Sequence, residues 1–158
     1  MNFETLNLRE RPEFAETCAA WVYGEWGCQR AESCFQKVLT YLNSAGPDSD
    51  LLECRIAVNG AKPLGMACLK RVEHPDRPDL SPWLGSVYVH PLFRGRKISY
   101  NLIADIERQA AEVYGYRECH LQTAIPKFYE RLGWAVIDRV RDTMGLNADG
   151  WFLMKKAL

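Results

Sequence analysis

Arg94-Gly95-Arg96-Lys97 packs three cations around one glycine in a short turn. Before it, Val87 and Val89 alternate with Ser86, Tyr88 and His90, the period of a strand that Pro91 closes. After it, Ile98, Leu102, Ile103, Ile106, Ala110 and Val113 recur at helical spacing up to a stop at Gly115. A turn of this kind at the start of a helix offers unpaired backbone N–H groups and the positive end of the helix dipole. The chemistry it suits is anion binding, phosphate above all. It is a poor nucleotide P-loop, because Gly95-Arg96-Lys97 lacks the upstream glycine of Gly-x-x-x-x-Gly-Lys-Ser/Thr. Lys97 is the sensitive position: if its backbone takes positive φ, lysine costs about 1 kcal/mol or more relative to glycine, and if it already belongs to the helix the cost vanishes.

The elements around this turn follow from the same patterning. Thr5 to Arg9 reads as a short strand, and Pro12 suits the first turn of a helix carrying Phe14, Cys18, Trp21 and Val22 to a stop near Gly24. A second helix, beginning around Ala31, puts Phe35, Val38, Leu39 and Leu42 on one face and ends in the loop 43–49. Leu51–Val58 and Leu64–Val72 are strand-like, and Asn59-Gly60 between them predicts a hairpin, since both residues accept positive φ. Glu73–Ser81 is a charged, Pro-containing loop that leads through Pro82-Trp83-Leu84 into the strand before the basic turn. Beyond the long helix come a strand at Glu118–Thr123, a short helix from Pro126 to Leu132, and strands at Trp134–Val140 and Trp151–Lys155. A right-handed crossover makes the Glu118–Thr123 strand parallel to the one before the turn.

With 158 residues, 47% of them hydrophobic, residues 1–158 are expected to form one domain around one core. Lys+Arg and Asp+Glu balance at 20 each, which removes any general attraction to nucleic acid or an anionic membrane and makes any basic site local. The first residues carry neither a basic nor an apolar run, and no apolar stretch approaches spanning length, so a cytoplasmic protein is expected. The six cysteines include no Cys-x-x-Cys pair, which favours free thiols over disulfides or a metal site.

The strand, the segment Arg94-Gly95-Arg96-Lys97-Ile98-Ser99 and the helix together resemble the acetyl-CoA signature of the GNAT N-acetyltransferase superfamily, a strand followed by Arg/Gln-x-x-Gly-x-Gly/Ala and a helix. Lys97 stands where that family prefers Gly, and Ser99 where it prefers Gly or Ala. Phe128-Tyr129-Glu130-Arg131-Leu132-Gly133-Trp134 is similar to the Phe-Tyr-Glu-Lys-Leu-Gly-Phe segment that follows the family's fifth strand. The resemblance implies an α+β fold in three layers, a mixed, mostly antiparallel sheet with helices on both faces. It implies acetyl-CoA as co-substrate, no metal, and direct transfer of acetyl to a primary amine on a small molecule or peptide. It also leaves open a non-catalytic module that binds coenzyme A or a partner. Members of this family are frequently homodimers, although patterning alone singles out no dimer surface here.

Carried onto this sequence, the resemblance assigns the phosphates of the donor to Arg94, Gly95, Arg96, Lys97 and Ser99, mainly through their amides. Backbone groups at Val87, Tyr88 and Val89 would pair with the pantetheine arm as an added strand and polarise the thioester. Tyr129 would protonate the departing thiolate. His120, beside Gln122 on the next strand, is the first candidate for the base, with Glu25, Glu53, Glu73 and Asp79 as looser options. Tyr23, Trp26 and Trp83 are candidate walls for the acceptor, joined by Glu25, Arg139 and Arg141.

Overall fold

The computed structural model describes residues 2–158. Its strands are β1 (Glu4–Asn7), β2 (Leu51–Asn59), β3 (Lys62–Lys70), β4 (Trp83–Val89), β5 (Glu118–Thr123), β6 (Ala135–Val140) and β7 (Trp151–Ala157). Its α-helices are α1 (Ala15–Glu25), α2 (Phe35–Asn43), α3 (Ile98–Glu112) and α4 (Pro126–Glu130). The strands form one seven-stranded sheet in the order β1-β2-β3-β4-β5-β7-β6. Every neighbouring pair is antiparallel except β4 and β5, which are parallel, as the intervening α3 crossover requires.

Helices cover both faces. On one, Ala15, Cys18 and Ala19 of α1 and Leu42 of α2 pack on Cys54, Ile56, Met66 and Cys68. On the other, Ile98, Leu102, Ile103 and Ile106 of α3 pack on Leu52, Leu64, Ala67, Leu69 and Leu84, with Phe128 and Tyr129 of α4 joining them. The β2–β3 turn puts Gly60 at φ 60°. Arg55 bridges Glu53 (3.3 Å) and Asp105 of α3 (2.7 Å), and Asn7 donates to Glu53 at 2.6 Å, tying the β1 edge to β2 and α3.

Several boundaries differ from the sequence expectation: β3 runs Lys62–Lys70 rather than Leu64–Val72, α4 ends at Glu130 rather than Leu132, and β7 continues to Ala157. β1 stops at Asn7 because its side chain and that of Glu10 form a reciprocal cap that turns Leu8–Glu10 into a 3-10 helix. α2 begins at Phe35 rather than near Ala31, since Cys34 is extended (φ −150°, ψ 162°) and the preceding residues are spent on turns.

Candidate active site

The site begins with a failure of pairing. β4 and β5 meet only at Trp83↔His120, with the His120 N–H on the Pro82 carbonyl at 3.0 Å, and diverge beyond that point. On its other side β4 stays paired with β3 but carries a bulge: Cys68 faces Gly85 and Met66 faces Tyr88, so β4 uses one extra residue. Ser86, within it, has φ 50°. The His90 N–H bonds to Leu64 of β3 at 2.9 Å, so by alternation the backbone of Tyr88 faces β3 and that of Val89 faces the opening. Arg94 Nε caps the Val89 carbonyl at 3.0 Å. Of the three residues expected to meet the pantetheine arm, Tyr88 therefore has its backbone committed to β3, while its ring stacks on Trp21 with centroids 5.1 Å apart.

The basic turn lies past the open end of β4. Gly95 has φ 77° and Lys97 has φ 61° and ψ 16°, so Lys97 is the left-handed residue that caps α3 rather than part of it. Asn101 is the first residue of α3 whose N–H returns to the turn, reaching the Lys97 carbonyl at 3.2 Å. The N–H groups of the helix's first turn, Ser99 among them, have no intrahelical acceptor. Arg94, Gly95, Arg96 and Lys97 are all exposed.

Tyr129 is aimed by α4 and the turn after it. Gly133, at φ 85°, reverses the chain so that the Trp134 N–H returns to the Tyr129 carbonyl at 3.2 Å. The Trp134 ring meets Tyr129 edge-on at 6.4 Å and donates to Glu107 of α3 at 2.9 Å, while Lys156 of β7 holds the same carboxylate at 2.7 Å. Among the described residues no group hydrogen-bonds the Tyr129 hydroxyl. Burial pushes its pKa up to about 12, so the phenol keeps its proton throughout the neutral range.

Other candidates have different surroundings. His120 sits at the paired end, 1% exposed, its Nδ1 3.3 Å from the Pro82 carbonyl and its ring 5.9 Å from Trp83. Its Nε2 lacks a hydrogen-bond partner, with Glu118 3.6 Å away. Burial lowers its pKa, so it is neutral at pH 7, and it packs at the paired end of β4 and β5 rather than along their divergence. Trp83 is wholly buried against Val140 and Leu153 and donates to Leu80 at 2.8 Å, a core role in place of the expected wall. Tyr23 lies over Gly27, where a side chain would come within 2.8 Å of its ring, and Trp26 ends α1. The aromatic that α1 does deliver to β4 is Trp21, which the sequence reading placed in the helix's apolar stripe. Arg139 stacks on Phe152 at 4.2 Å, and Arg141 pairs with Asp76 at 2.6 Å. Asp79 pairs with Arg77 at 2.9 Å, Glu53 belongs to the buried Arg55 network, and Glu25 is exposed.

Glu73 is an acid brought against β4. Its Oε2 lies 2.6 Å from Lys70 Nζ and 3.3 Å from where a Cβ would stand on Gly85. Among the described residues no group of three or more His, Cys, Asp or Glu is placed to hold a metal ion. Nor is any described helix long and apolar enough to cross a membrane. Burial pushes the Cys18 and Cys119 thiols up to about 12, which keeps them protonated.

The sequence profile of the acetyltransferase (GNAT) domain matches residues 50–136, from β2 to the start of β6. Compared by sequence with curated proteins, the chain has no match. An aminoglycoside 6'-N-acetyltransferase complexed with coenzyme A has a similar structure, with a TM-score of 0.74 at 15% identity over 99% of this chain and 97% of its own. An N-acetyltransferase, PaiA, from Thermoplasma acidophilum, also in complex with coenzyme A, aligns over 100% of both chains at 20% identity and a TM-score of 0.64. A spermidine N-acetyltransferase chimera that includes Vibrio cholerae sequence gives a TM-score of 0.71 at 14% identity, covering 99% of this chain and 96% of its own.

Proposed function

The chain belongs to the GNAT acetyltransferase family, and from that premise we propose that it transfers acetyl from acetyl-CoA to a primary amine by direct attack in a ternary complex. The observation that carries this reading is the divergence of β4 from β5 beside a basic, left-handed turn at the start of α3. The gap leaves the Val89 N–H of β4 without a strand partner and open to an extended amide-bearing arm, and the turn offers convergent N–H groups to a pyrophosphate. That two similar structures hold coenzyme A is consistent with this use of the fold.

In the proposed reaction the amine nitrogen attacks the thioester carbon and a C–N bond forms. Charge moves onto the carbonyl oxygen, where a backbone N–H of the β4 bulge stabilises it. Collapse breaks the C–S bond, and Tyr129 supplies the thiolate's proton. The nitrogen gives up two protons overall, one balancing the new thiol and one released to solvent. No covalent enzyme intermediate is required.

The test is release of free coenzyme A thiol on mixing the protein with acetyl-CoA and propylamine, putrescine, spermidine, kanamycin or a lysine-containing peptide. Turnover with at least one amine is expected. Tyr129→Phe should lower kcat by about 10²-fold, the range of a positioned acid, while its thermal unfolding stays close to wild type. Full activity in a folded Tyr129→Phe protein would remove Tyr129 from the mechanism.

A further inference from the structure

An ion pair lies against β4 one residue before the bulge, on the side of α2 rather than α3. Lys70 ends β3 and Glu73 follows in the loop, with Nζ and Oε2 2.6 Å apart and the side chains only 13% and 19% exposed. The pair has room because residue 85 is glycine: a Cβ there would come within 3.1 Å of Lys70 Cε and Nζ and 3.3 Å of Glu73 Oε2. Glu73 thus places a carboxylate beside the bulge whose N–H groups would hold the thioester oxygen. Among the described residues no hydrogen bond reaches its second oxygen, which is not among the buried unpartnered atoms and so stays open to solvent or a ligand. A largely buried ion pair adds little stability over an apolar pair of similar size. Stability alone therefore gives little reason for this one.

We propose that Glu73 receives the proton of the acceptor's ammonium group as it reaches the thioester, and that Lys70 is the positioning residue that keeps the carboxylate turned toward Gly85. This rests on the amine-transfer reading above and assigns the proton acceptor within it. The ammonium N–H breaks, its electron pair stays on nitrogen as the nucleophile, and the proton passes through Glu73 to solvent. Burial alone would pull the Lys70 ammonium down, but Glu73, Tyr41 and Cys68 together hold it above its ordinary value. The titratable groups facing the pair are Tyr41 of α2, whose phenol burial pushes up to about 12, and Cys68 of β3, with Asp50 beyond Tyr41. Gly85 and Ser86 of β4 add no charge.

The experiment compares wild type, Glu73→Gln, Glu73→Asp and Lys70→Met in the thiol-release assay between pH 6 and 9, with acetyl-CoA-induced thermal stabilisation as the measure of folding and donor binding. Glu73→Gln should lose at least about 10²-fold in turnover, keep the acetyl-CoA shift, and regain rate about tenfold per pH unit as the free amine accumulates. Glu73→Asp should recover part of the rate and a wild-type profile, and Lys70→Met, which releases the carboxylate from its position, should lower kcat while leaving KM for acetyl-CoA and the acetyl-CoA shift near wild type. A folded, acetyl-CoA-binding Glu73→Gln with wild-type rate and profile overturns this inference alone. Wild-type protein that releases no thiol with any of the amines overturns the amine-transfer reading and this inference with it.

Discussion

Histidine 120 shows how one residue type can carry two opposite readings until its surroundings are known. A strand histidine near the opening is a natural base, yet this one is enclosed at the only β4–β5 pair, with an unpartnered Nε2. Burial disfavours its charged form and depresses its folded-state pKa below the ordinary 6.5. Between the depressed value and about 6.5 the unfolded chain therefore binds more protons than the folded one. Its contribution to stability is complete above about 6.5 and is lost as pH falls through that window. In His120→Gln the drop in Tm between pH 7 and pH 5 should be smaller than in wild type. An identical drop in the two proteins would mean that some other group sets the acid sensitivity. Glu73 teaches the converse: twelve positions before Gly85 in sequence, it reaches β4 only through a glycine that leaves space and a lysine that holds it.

At the scale of the element, the start of α3 carries a strained residue. Lys97 sits at φ 61°, ψ 16°, where an L side chain crowds the backbone by about 1–2 kcal/mol and glycine does not. The strain buys a helix start whose first N–H groups point out of the turn, which is what an anion needs there. Lys97→Gly should accordingly raise stability by about 1 kcal/mol, seen as a higher urea midpoint at unchanged m and a Tm higher by about 2–4 °C. Lys97→Ala keeps the strain and should gain nothing. Equal midpoints for the glycine and alanine variants would show that the left-handed backbone is not what lysine costs here. KM for acetyl-CoA in Lys97→Ala compared with wild type then reads the lost charge, since both keep the amide and the left-handed backbone.

Over the whole molecule, the sequence made the order of elements legible and left the sheet's defect hidden. Asn59-Gly60 announced the β2–β3 hairpin, the helical period after Ile98 announced the crossover, and with Phe128–Trp134 they predicted the mixed sheet that is observed. The alternation of Val87, Tyr88 and Val89 is the same in a closed sheet as in an open one, because it reports side-chain faces and not backbone partners. The bulge at Ser86 and the divergence from β5 are relations between distant strands, and no local pattern encodes them. Amide hydrogen exchange can read them directly. His90, bonded to Leu64, should exchange slowly in the free protein, whereas the Val89 N–H, facing the opening, should exchange orders of magnitude faster. Saturating coenzyme A, pairing its arm along that edge, should slow Val89 and leave His90 little changed, while ATP, with phosphates but no arm, should not protect Val89. A Val89 amide already protected without ligand would mean that the edge is closed. One that stays unprotected when coenzyme A binds would place the arm away from β4, and the backbone of Val89 would then have no part in holding the donor.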